Sequence, residues 1–320
     1  MATIGVTGAG GFIGSHLAEA LLARGDHVVA SDIYQSAPPS LAELGSGERL
    51  SYVKCDVRRT SEVEEALPEG VEVVYHLASA VGVDQYINDP IGTIDCIFNG
   101  SRNVLEHCIK LNARLVYVST SEVYGKNPQI PWSEESDRVL GDPSIDRWCY
   151  STSKALCEHL INAAHRKWGL PTTIVRPFNV YGPRQRPSFV IPAVLSRILK
   201  GEPPVIYGDG NQTRCFTYIE DLVKGLLLCA ESQAAVGQTF NLGNERESTI
   251  NEIVKIALDV CKSDLKPVYI DTRKEFGKRF EDIGRRVPDS SKALRLLGWK
   301  ATTPVETGIT KTAEWMKTHP

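Results

Sequence analysis

Residues 3–14 read Thr3-Ile4-Gly5-Val6-Thr7-Gly8-Ala9-Gly10-Gly11-Phe12-Ile13-Gly14, and this stretch decides the fold. It combines a short apolar strand, a G-x-x-G-x-x-G turn and the start of a helix whose apolar pattern continues through Leu17 and Leu21. A glycine turn between a strand and a helix lets the backbone approach a ligand closely at the helix N-terminus, which suits a pyrophosphate. The stretch therefore predicts a dinucleotide site.

Two carboxylates follow the next strands of the sequence. The strand at 27–31 ends in Asp32, near the spacing at which an acid binds the ribose hydroxyls of a dinucleotide. Asp32 would repel a 2′-phosphate and no Arg follows it directly, so the sequence favours NAD over NADP. Asp56 ends the strand at 50–57 and could reach the adenine.

The alternation of strands and helices continues with strands at 71–78 and 115–118 and helices at 61–66 and 93–111. This order predicts the α/β class, with a doubly wound parallel sheet of the Rossmann type that binds ligands at the carboxyl ends of its strands. The regular alternation of strands and helices ends after Tyr181. We therefore predict an NAD-binding Rossmann domain at 1–178, with returning segments near 216–245, and a smaller, interleaved α/β substrate-binding domain at 179–320.

The strand at 115–118 ends in hydroxyls and one carboxylate, at Ser119, Thr120 and Glu122. Downstream, Tyr150 and Lys154 are four residues apart, on one face of a predicted helix at 151–168. An ammonium beside a phenol lowers the pKa of the phenol from about 10 and makes it a base. The hydroxyl of Thr120 or Ser119 could then hold a substrate alcohol while it loses its proton.

Composition excludes several function classes. The net charge of −3 and pI of about 6.2 do not favour nucleic acid as a partner, and no apolar run approaches a membrane span. No signal peptide is visible at the N-terminus. The eight cysteines have no metal-ligand spacing and several lie in apolar runs, so we predict reduced, mostly buried thiols, no metal site and a cytoplasmic protein. His76 and His107 are interpreted as hydrogen-bonded structural residues.

These motifs together resemble the extended short-chain dehydrogenase/reductase family, in its nucleotide-sugar epimerase, dehydratase and decarboxylase branch. The resemblance covers essentially the whole chain with the motifs in family order. The matching motifs are the glycine turn, Asp32, Asp56, His76-Leu77-Ala78, Asn99-Gly100-Ser101, Ser119-Thr120-Ser121, Tyr150-x-x-x-Lys154, residues 176–184, 208–210, 214–221 and 240–243.

The resemblance implies roles for individual residues. Catalysis is expected of Thr120, Glu122, Tyr150 and Lys154. NAD binding is expected of Gly8, Gly11, Phe12, Ile13, Gly14, Asp32, Ile33, Asp56, Val57, Leu77, Ala78, Ala80, Asn99, Ser119, Tyr150, Lys154 and Pro177. Binding of the nucleotide sugar is expected of Ser121, Asn179, Arg184, Tyr207, Arg214 and Arg286. The family also forms a four-helix bundle between two copies, so a homodimer through the helices at 93–111 and 151–168 is expected.

The same resemblance implies transient oxidation at C4 of the sugar, and Glu122 then bears on the outcome. Typical 4-epimerases have a small residue at that position, whereas dehydratases and decarboxylases carry Glu. Dehydratases of the dTDP-glucose type place Asp before that Glu, where this chain has Ser121, but GDP-mannose dehydratases also read Thr-Ser-Glu.

Near the C-terminus, residues 274–289 resemble UDP-glucuronate decarboxylases and UDP-apiose/xylose synthases, and so does Asp146-Arg147-Trp148. Arg286 would then meet the sugar carboxylate; the alternative is that Arg285 and Arg286 contact phosphate or solvent. Residues 182–187 look more like UDP-sugar 4-epimerases. We predict decarboxylation of UDP-glucuronate to a UDP-pentose, with 4-epimerisation and then 4,6-dehydration as alternatives. A non-catalytic NAD-binding scaffold is the remote alternative.

Overall fold

The computed structural model describes residues 1–45, 47–271 and 283–319. Seven parallel strands form a central sheet in the order β11-β6-β5-β4-β1-β2-β3. The strands of this sheet are β1 Thr3–Thr7, β2 His27–Asp32, β3 Leu50–Lys54, β4 Val73–His76, β5 Arg114–Val118, β6 Thr172–Pro177 and β11 Gln238–Leu242. The predicted doubly wound parallel sheet is confirmed.

Helices cover the sheet and alternate with its strands. Those before residue 170 are α1 Phe12–Arg24, α2 Pro39–Ala42, α3 Thr60–Ala66, α4 Val83–Asn88, α5 Pro90–Leu111 and α6 Arg147–Trp168. Both long helices begin earlier than predicted, because Asp89 caps α5 through Gly92 N and because α6 buries Arg147 and Trp148 in its first turn. Tyr150 therefore lies inside α6, one turn from its start.

The rest of the chain supplies short strands and further helices. The helices are α7 Val190–Leu199, α8 Ile219–Glu231, α9 Ile250–Cys261, α10 Ser291–Leu297 and α11 Val305–Thr318. The remaining strands pair in twos, as β7 Val180–Tyr181 with β10 Thr217–Tyr218, β9 Thr213–Cys215 with β12 Glu247–Thr249, and β8 Val205–Tyr207 with β13 Val268–Ile270. Thr249 caps α9 in a reciprocal capping box with Glu252.

The strand order reverses between β1 and β4, where a doubly wound sheet opens a crevice for ligands. The turns after β1, β4 and β5 all face this end of the sheet. Strand β11 returns to the sheet from the C-terminal half, in line with the predicted interleaving, while a domain boundary between residues 178 and 179 stays a prediction. All eight cysteines are free thiols and five of them are buried.

Candidate active site

The glycine turn between β1 and α1 leaves no room for side chains. Gly8 has a φ of +72°, and a Cβ there would lie 2.6 Å from the backbone N of Ala78. A Cβ on Gly14 would lie 2.2 Å from the Gly8 carbonyl oxygen. Helix α1 starts after Gly11 without a side-chain cap, so its first N–H groups are available to a ligand oxygen. This turn fits the pyrophosphate of NAD, and it carries Gly8, Gly11, Phe12, Ile13 and Gly14 as predicted.

Asp32 ends β2 beside this turn. Its carboxylate accepts hydrogen bonds from Gly10 N at 2.9 Å and from Ile33 N at 2.8 Å. Burial raises the pKa of Asp32, while these two N–H groups oppose that shift. The residue predicted to bind the ribose therefore lies directly against the predicted pyrophosphate turn.

Asp56 follows β3 and is paired with Arg58, which the sequence analysis did not single out. Arg58 donates to it from Nε at 2.9 Å and from Nη2 at 2.7 Å. This pairing lowers the pKa of Asp56. Arg58 also lies 3.8 Å from Asp95, whose carboxylate accepts a hydrogen bond from Asn99. Asp56, which could reach the adenine, and Asn99, expected to bind NAD, therefore belong to one polar cluster with Arg58 and Asp95.

The loop after β4 carries Leu77, Ala78 and Ala80, and it follows His76, whose ring is held by hydrogen bonds. The His76 ring bonds Thr7 Oγ1 at 2.7 Å and Ser101 Oγ at 3.1 Å. Burial lowers the pKa of His76 to about 3, so the ring is neutral. His107 likewise bonds the Leu67 carbonyl at 2.7 Å. The interpretation of both histidines as structural residues is confirmed.

The predicted base and its partner hydroxyl meet at the start of α6. Thr120 follows β5 by two residues and accepts a hydrogen bond from Glu122 N at 3.2 Å. Its side chain acts to lower the pKa of Tyr150, against the larger effect of burial. The Tyr150 ring is buried and stacks on Tyr86 with 5.5 Å between ring centroids. Sequence reasoning missed Tyr86, because this residue belongs to none of the motifs that were recognised.

Lys154 lies one turn further along α6 and is buried. Its Nζ donates to the Val118 carbonyl at 2.9 Å, and burial lowers its pKa to about 8. The pKa of Tyr150 is raised, first by burial and then by the charge of Glu122. The predicted lowering of that pKa is therefore wrong for the protein alone, because loss of solvation disfavours the phenolate more than any nearby cation favours it.

Ser119 contacts the same helix through a carboxylate. Its Oγ donates to Glu158 Oε1 at 2.5 Å, and Arg176 donates to Glu158 at 3.0 and 2.6 Å. Glu158 and Arg176 are both buried. Glu158 is four residues past Lys154, and this spacing is the signal that could have revealed it. The structure thus places Ser119, predicted to bind NAD, on a buried ion pair.

Glu122 lies between two buried arginines. Its Oε1 is 3.3 Å from Arg286 Nη1 and 3.6 Å from Arg147 Nη2. Arg147 is 2% exposed and Arg286 is 8% exposed. The Nε of Arg286 is buried with no hydrogen-bond acceptor in the described part of the chain. We call these three residues (Glu122, Arg147 and Arg286) the Glu122 cluster.

No role was predicted for Arg147, although its spacing from Tyr150 is a signal. It precedes Tyr150 by three residues, so the two side chains share one face of α6. Arg285, the alternative to Arg286, points elsewhere and pairs with Glu247 at 2.6 Å on the surface. The structure therefore separates the two neighbouring arginines that the sequence left equivalent.

The other predicted substrate residues lie on surrounding turns. Arg184 has a φ of +66° and pairs with Glu19 of α1 at 2.8 Å. Arg214 donates to the Gly284 carbonyl at 3.0 Å, next to the segment that carries Arg286. Tyr207 is exposed at the end of β8. The remaining positions are Ser121, buried in the 3-10 turn Ser121–Tyr124; Asn179, which donates to the Cys215 carbonyl; and Pro177, at the end of β6.

Among the residues that the structure describes, no group of His, Cys, Asp and Glu side chains could hold a metal ion. None of the described helices is long and apolar enough to cross a membrane.

Comparison with known sequences identifies a family and two relatives. The NAD dependent epimerase/dehydratase family matches residues 4–243. The UDP-N-acetyl-alpha-D-glucosaminuronate decarboxylase of Bacillus cytotoxicus is 35% identical over 315 residues, covering 98% of this chain and 97% of the relative. The UDP-glucuronic acid decarboxylase 1 of Xenopus tropicalis is 32% identical over 315 residues, covering 98% of this chain and 71% of the relative.

A solved structure with the same fold comes from Bacillus cereus. It is a UDP-glucuronic acid 4-epimerase in complex with UDP-glucuronic acid and NAD, with a TM-score of 0.87 and 27% sequence identity. The match covers 99% of this chain and all of the epimerase chain.

Proposed function

The chain belongs to the NAD dependent epimerase/dehydratase family, and from this premise we propose that it oxidises C4 of a UDP-sugar bearing a C6 carboxylate and then releases that carboxylate as CO₂. The family resemblance predicted from the sequence is confirmed, and NAD is the cofactor. Decarboxylation is our proposal for the step after oxidation, with UDP-glucuronate as the preferred substrate.

The arrangement of the Glu122 cluster carries this proposal. Glu122 and Arg286 form a buried charged pair, and the buried Nε of Arg286 has no acceptor in the described part of the chain. Buried polar groups are costly unless they are hydrogen-bonded, and a carboxylate on the substrate would give this Nε an acceptor. The cluster lies near Tyr150, because Arg147 and Tyr150 share one face of α6. It thus suits a carboxylate close to the oxidised carbon.

The residues at the start of α6 handle the C4 hydroxyl in this proposal. The Thr120 side chain is close enough to the Tyr150 hydroxyl to affect its pKa, so we assign both to one substrate oxygen, from which Tyr150 takes the proton. Lys154, held by the Val118 carbonyl, supplies a positive charge one helical turn away. NAD, when bound, supplies the hydride acceptor.

Oxidation at C4 makes the C6 carboxylate part of a β-keto acid. The bond between C5 and C6 can then break, its electron pair moves toward the C4 oxygen, and CO₂ leaves. C5 must afterwards receive a proton. Glu122 is the carboxyl group beside Arg286 and Tyr150, so we assign that proton transfer to it. A simple 4-epimerase needs no such group, which is why Glu122 favours decarboxylation over epimerisation.

The relatives support the substrate class without deciding the substituent at C2. One is named for a UDP-N-acetylglucosaminuronate and the other for UDP-glucuronic acid, and both substrates carry the C6 carboxylate. The Bacillus cereus epimerase is also named for UDP-glucuronic acid. A carboxylate site is therefore common to decarboxylases and an epimerase, and the products must distinguish them.

Incubation of the enzyme with UDP-glucuronate should release CO₂ and a UDP-pentose or its 4-keto form, as detected by mass spectrometry. UDP-N-acetylglucosaminuronate, UDP-galacturonate and UDP-glucose should be tested in parallel. An isomer of unchanged mass from UDP-glucuronate would instead establish a 4-epimerase, and loss of water would establish a dehydratase. No product from any member of the panel would favour the scaffold.

The Glu122→Ala variant is part of the same experiment. We expect its CO₂ release to fall by about 10²- to 10⁴-fold, the usual contribution of a positioned acid or base. The matched control is Glu64→Ala, which removes a half-exposed carboxylate on α3. If Glu122→Ala kept most of its turnover, proton transfer by Glu122 would be refuted and the epimerase favoured.

We further propose a homodimer, formed through α5 and α6. These helices pack against each other and still expose Ile91, Ile94 and Leu156, at 80%, 45% and 48% of their surfaces. Exposed large apolar side chains on adjacent helices are typical of an interface. Light scattering at micromolar concentration should give the mass of two chains, and a monomer would contradict the proposal. A cytoplasmic location, supported by the eight free cysteines, stays a prediction.

A further inference from the structure

A buried polar network connects the Glu122 turn to the segment that carries Arg286. At its centre is Asn241, which lies near the end of β11 and is fully buried. Its Oδ1 accepts a hydrogen bond from the Tyr124 hydroxyl at 2.7 Å. Its Nδ2 donates to the carbonyls of Trp132 at 2.8 Å and Asp289 at 3.3 Å. One side chain therefore holds three separate segments.

Two of these segments also bond each other. Trp132 N donates to the Val287 carbonyl at 2.8 Å, and Asp289 N donates to the Trp132 carbonyl at 2.8 Å. These two bonds bracket Pro288, so residues 287–289 run beside Trp132 as a short β-bridge. Arg286 immediately precedes this bridged segment. Its backbone is thus anchored to Trp132, and through Trp132 to Asn241.

The third segment is the turn that carries Glu122. Tyr124 follows Glu122 by two residues, and its ring stacks on the fully buried Trp132 at 5.1 Å. The Tyr124 hydroxyl also accepts from Arg176 Nη1 at 2.7 Å, and Arg176 is held by Glu158 of α6. The network therefore connects the turn that carries Glu122 with the segment that carries Arg286. It also reaches α6, the helix of Tyr150 and Lys154.

We propose that Asn241 is a positioning residue that sets the distance between Arg286 and Glu122, and with it the preference for a sugar carboxylate. It contacts neither side chain of that pair directly. The NH₂ group of Asn241 must face the two carbonyl oxygens, and its Oδ1 must face the Tyr124 hydroxyl. The side-chain amide therefore has one orientation. This inference rests on the proposed function, because the preference it explains is the one for a carboxylated sugar.

The test is the Asn241→Asp variant, which keeps the size of the side chain but replaces the NH₂ donor by an oxygen facing two carbonyls. UDP-glucuronate and UDP-glucose differ only at C6, so the ratio of their dissociation constants reports the carboxylate site. We expect calorimetry to show that ratio falling at least fivefold in Asn241→Asp. Tyr124→Phe, which keeps the ring on Trp132, should reduce it about two- to fivefold.

The control is Thr173→Val, which removes a buried hydroxyl that donates to the Ala235 carbonyl at 2.9 Å in the neighbouring strand β6. Thr173→Val should destabilise the protein to a similar degree and leave the ratio of dissociation constants unchanged. If Asn241 had only a structural role, Asn241→Asp would leave that ratio unchanged as well. An unaltered preference in both Asn241→Asp and Tyr124→Phe would overturn the inference, and Tyr124→Phe alone decides if Asn241→Asp does not fold. A wild-type enzyme that binds both sugars equally would instead overturn the carboxylate substrate, and the inference with it.

Discussion

Replacing Tyr150 with Phe should lower the rate of product formation by about 10²- to 10⁴-fold while the protein stays folded. The variant keeps the ring that stacks on Tyr86 and loses only the phenolic hydroxyl. That hydroxyl is the group we assign to proton transfer at C4, so every product that depends on this oxidation should be lost together. Single-turnover product analysis with UDP-glucuronate measures the rate, and calorimetry checks that the substrate still binds.

Tyr75→Phe is the matched control for this variant. Tyr75 is fully buried in β4, and its hydroxyl has no hydrogen-bond partner in the described part of the chain. Loss of that hydroxyl should leave the rate within about twofold of wild type. A Tyr150→Phe enzyme that retained more than a tenth of the wild-type rate would show that another group takes the C4 proton.

Replacing Arg286 with Gln should reduce kcat/KM for UDP-glucuronate by about 30- to 5,000-fold, since loss of one partner of a buried charged pair costs roughly 2–5 kcal/mol. Gln keeps polar atoms near Glu122 but removes the charge that we assign to the sugar carboxylate. Glu122 then keeps Arg147, at 3.6 Å, as its remaining cation in the described part of the cluster. Binding of UDP-glucose, which has no carboxylate, should change far less.

The adjacent residue offers a control with the identical substitution. Arg285 is more than half exposed and pairs with Glu247, and exposed pairs of this kind contribute at most about 1 kcal/mol. Arg285→Gln should therefore leave kcat/KM nearly unchanged. Equal losses in both variants, or equal losses for UDP-glucuronate and UDP-glucose in Arg286→Gln, would argue for a phosphate contact or a general structural role instead.

Most elements of the Rossmann half were predictable from local pattern. Strand β1 and the glycine turn lie where the sequence places them, because a strand, a turn and a helix start are all specified within residues 3–14. Strand β4 is shorter than its apolar run at 71–78, since the parallel ladder to β1 covers only Val73–His76. The apolar run therefore overestimated how many of its residues form the hydrogen bonds of a strand.

The electrostatics of the site were less predictable. The spacing of Tyr150 and Lys154 correctly placed both on one helix, but it also suggested a lowered phenol pKa. In the fold both side chains are buried, and burial raises the pKa of Tyr150 and lowers that of Lys154. A sequence spacing shows which charges are near each other, whereas solvation depends on every segment that packs around them.

Local motifs in the sequence were enough to predict the family, the glycine turn at residues 3–14 as an NAD site and the Tyr150–Lys154 pair, because each motif consists of residues close together in the chain. Folding was needed to show the different partners of Arg285 and Arg286, the position of Arg147 beside Glu122 and the contacts of Asn241. Arg286 and Glu122 are 164 positions apart in the chain. Contact over that distance is created by folding, when β5, α6 and the segment after residue 283 exclude water from the same space.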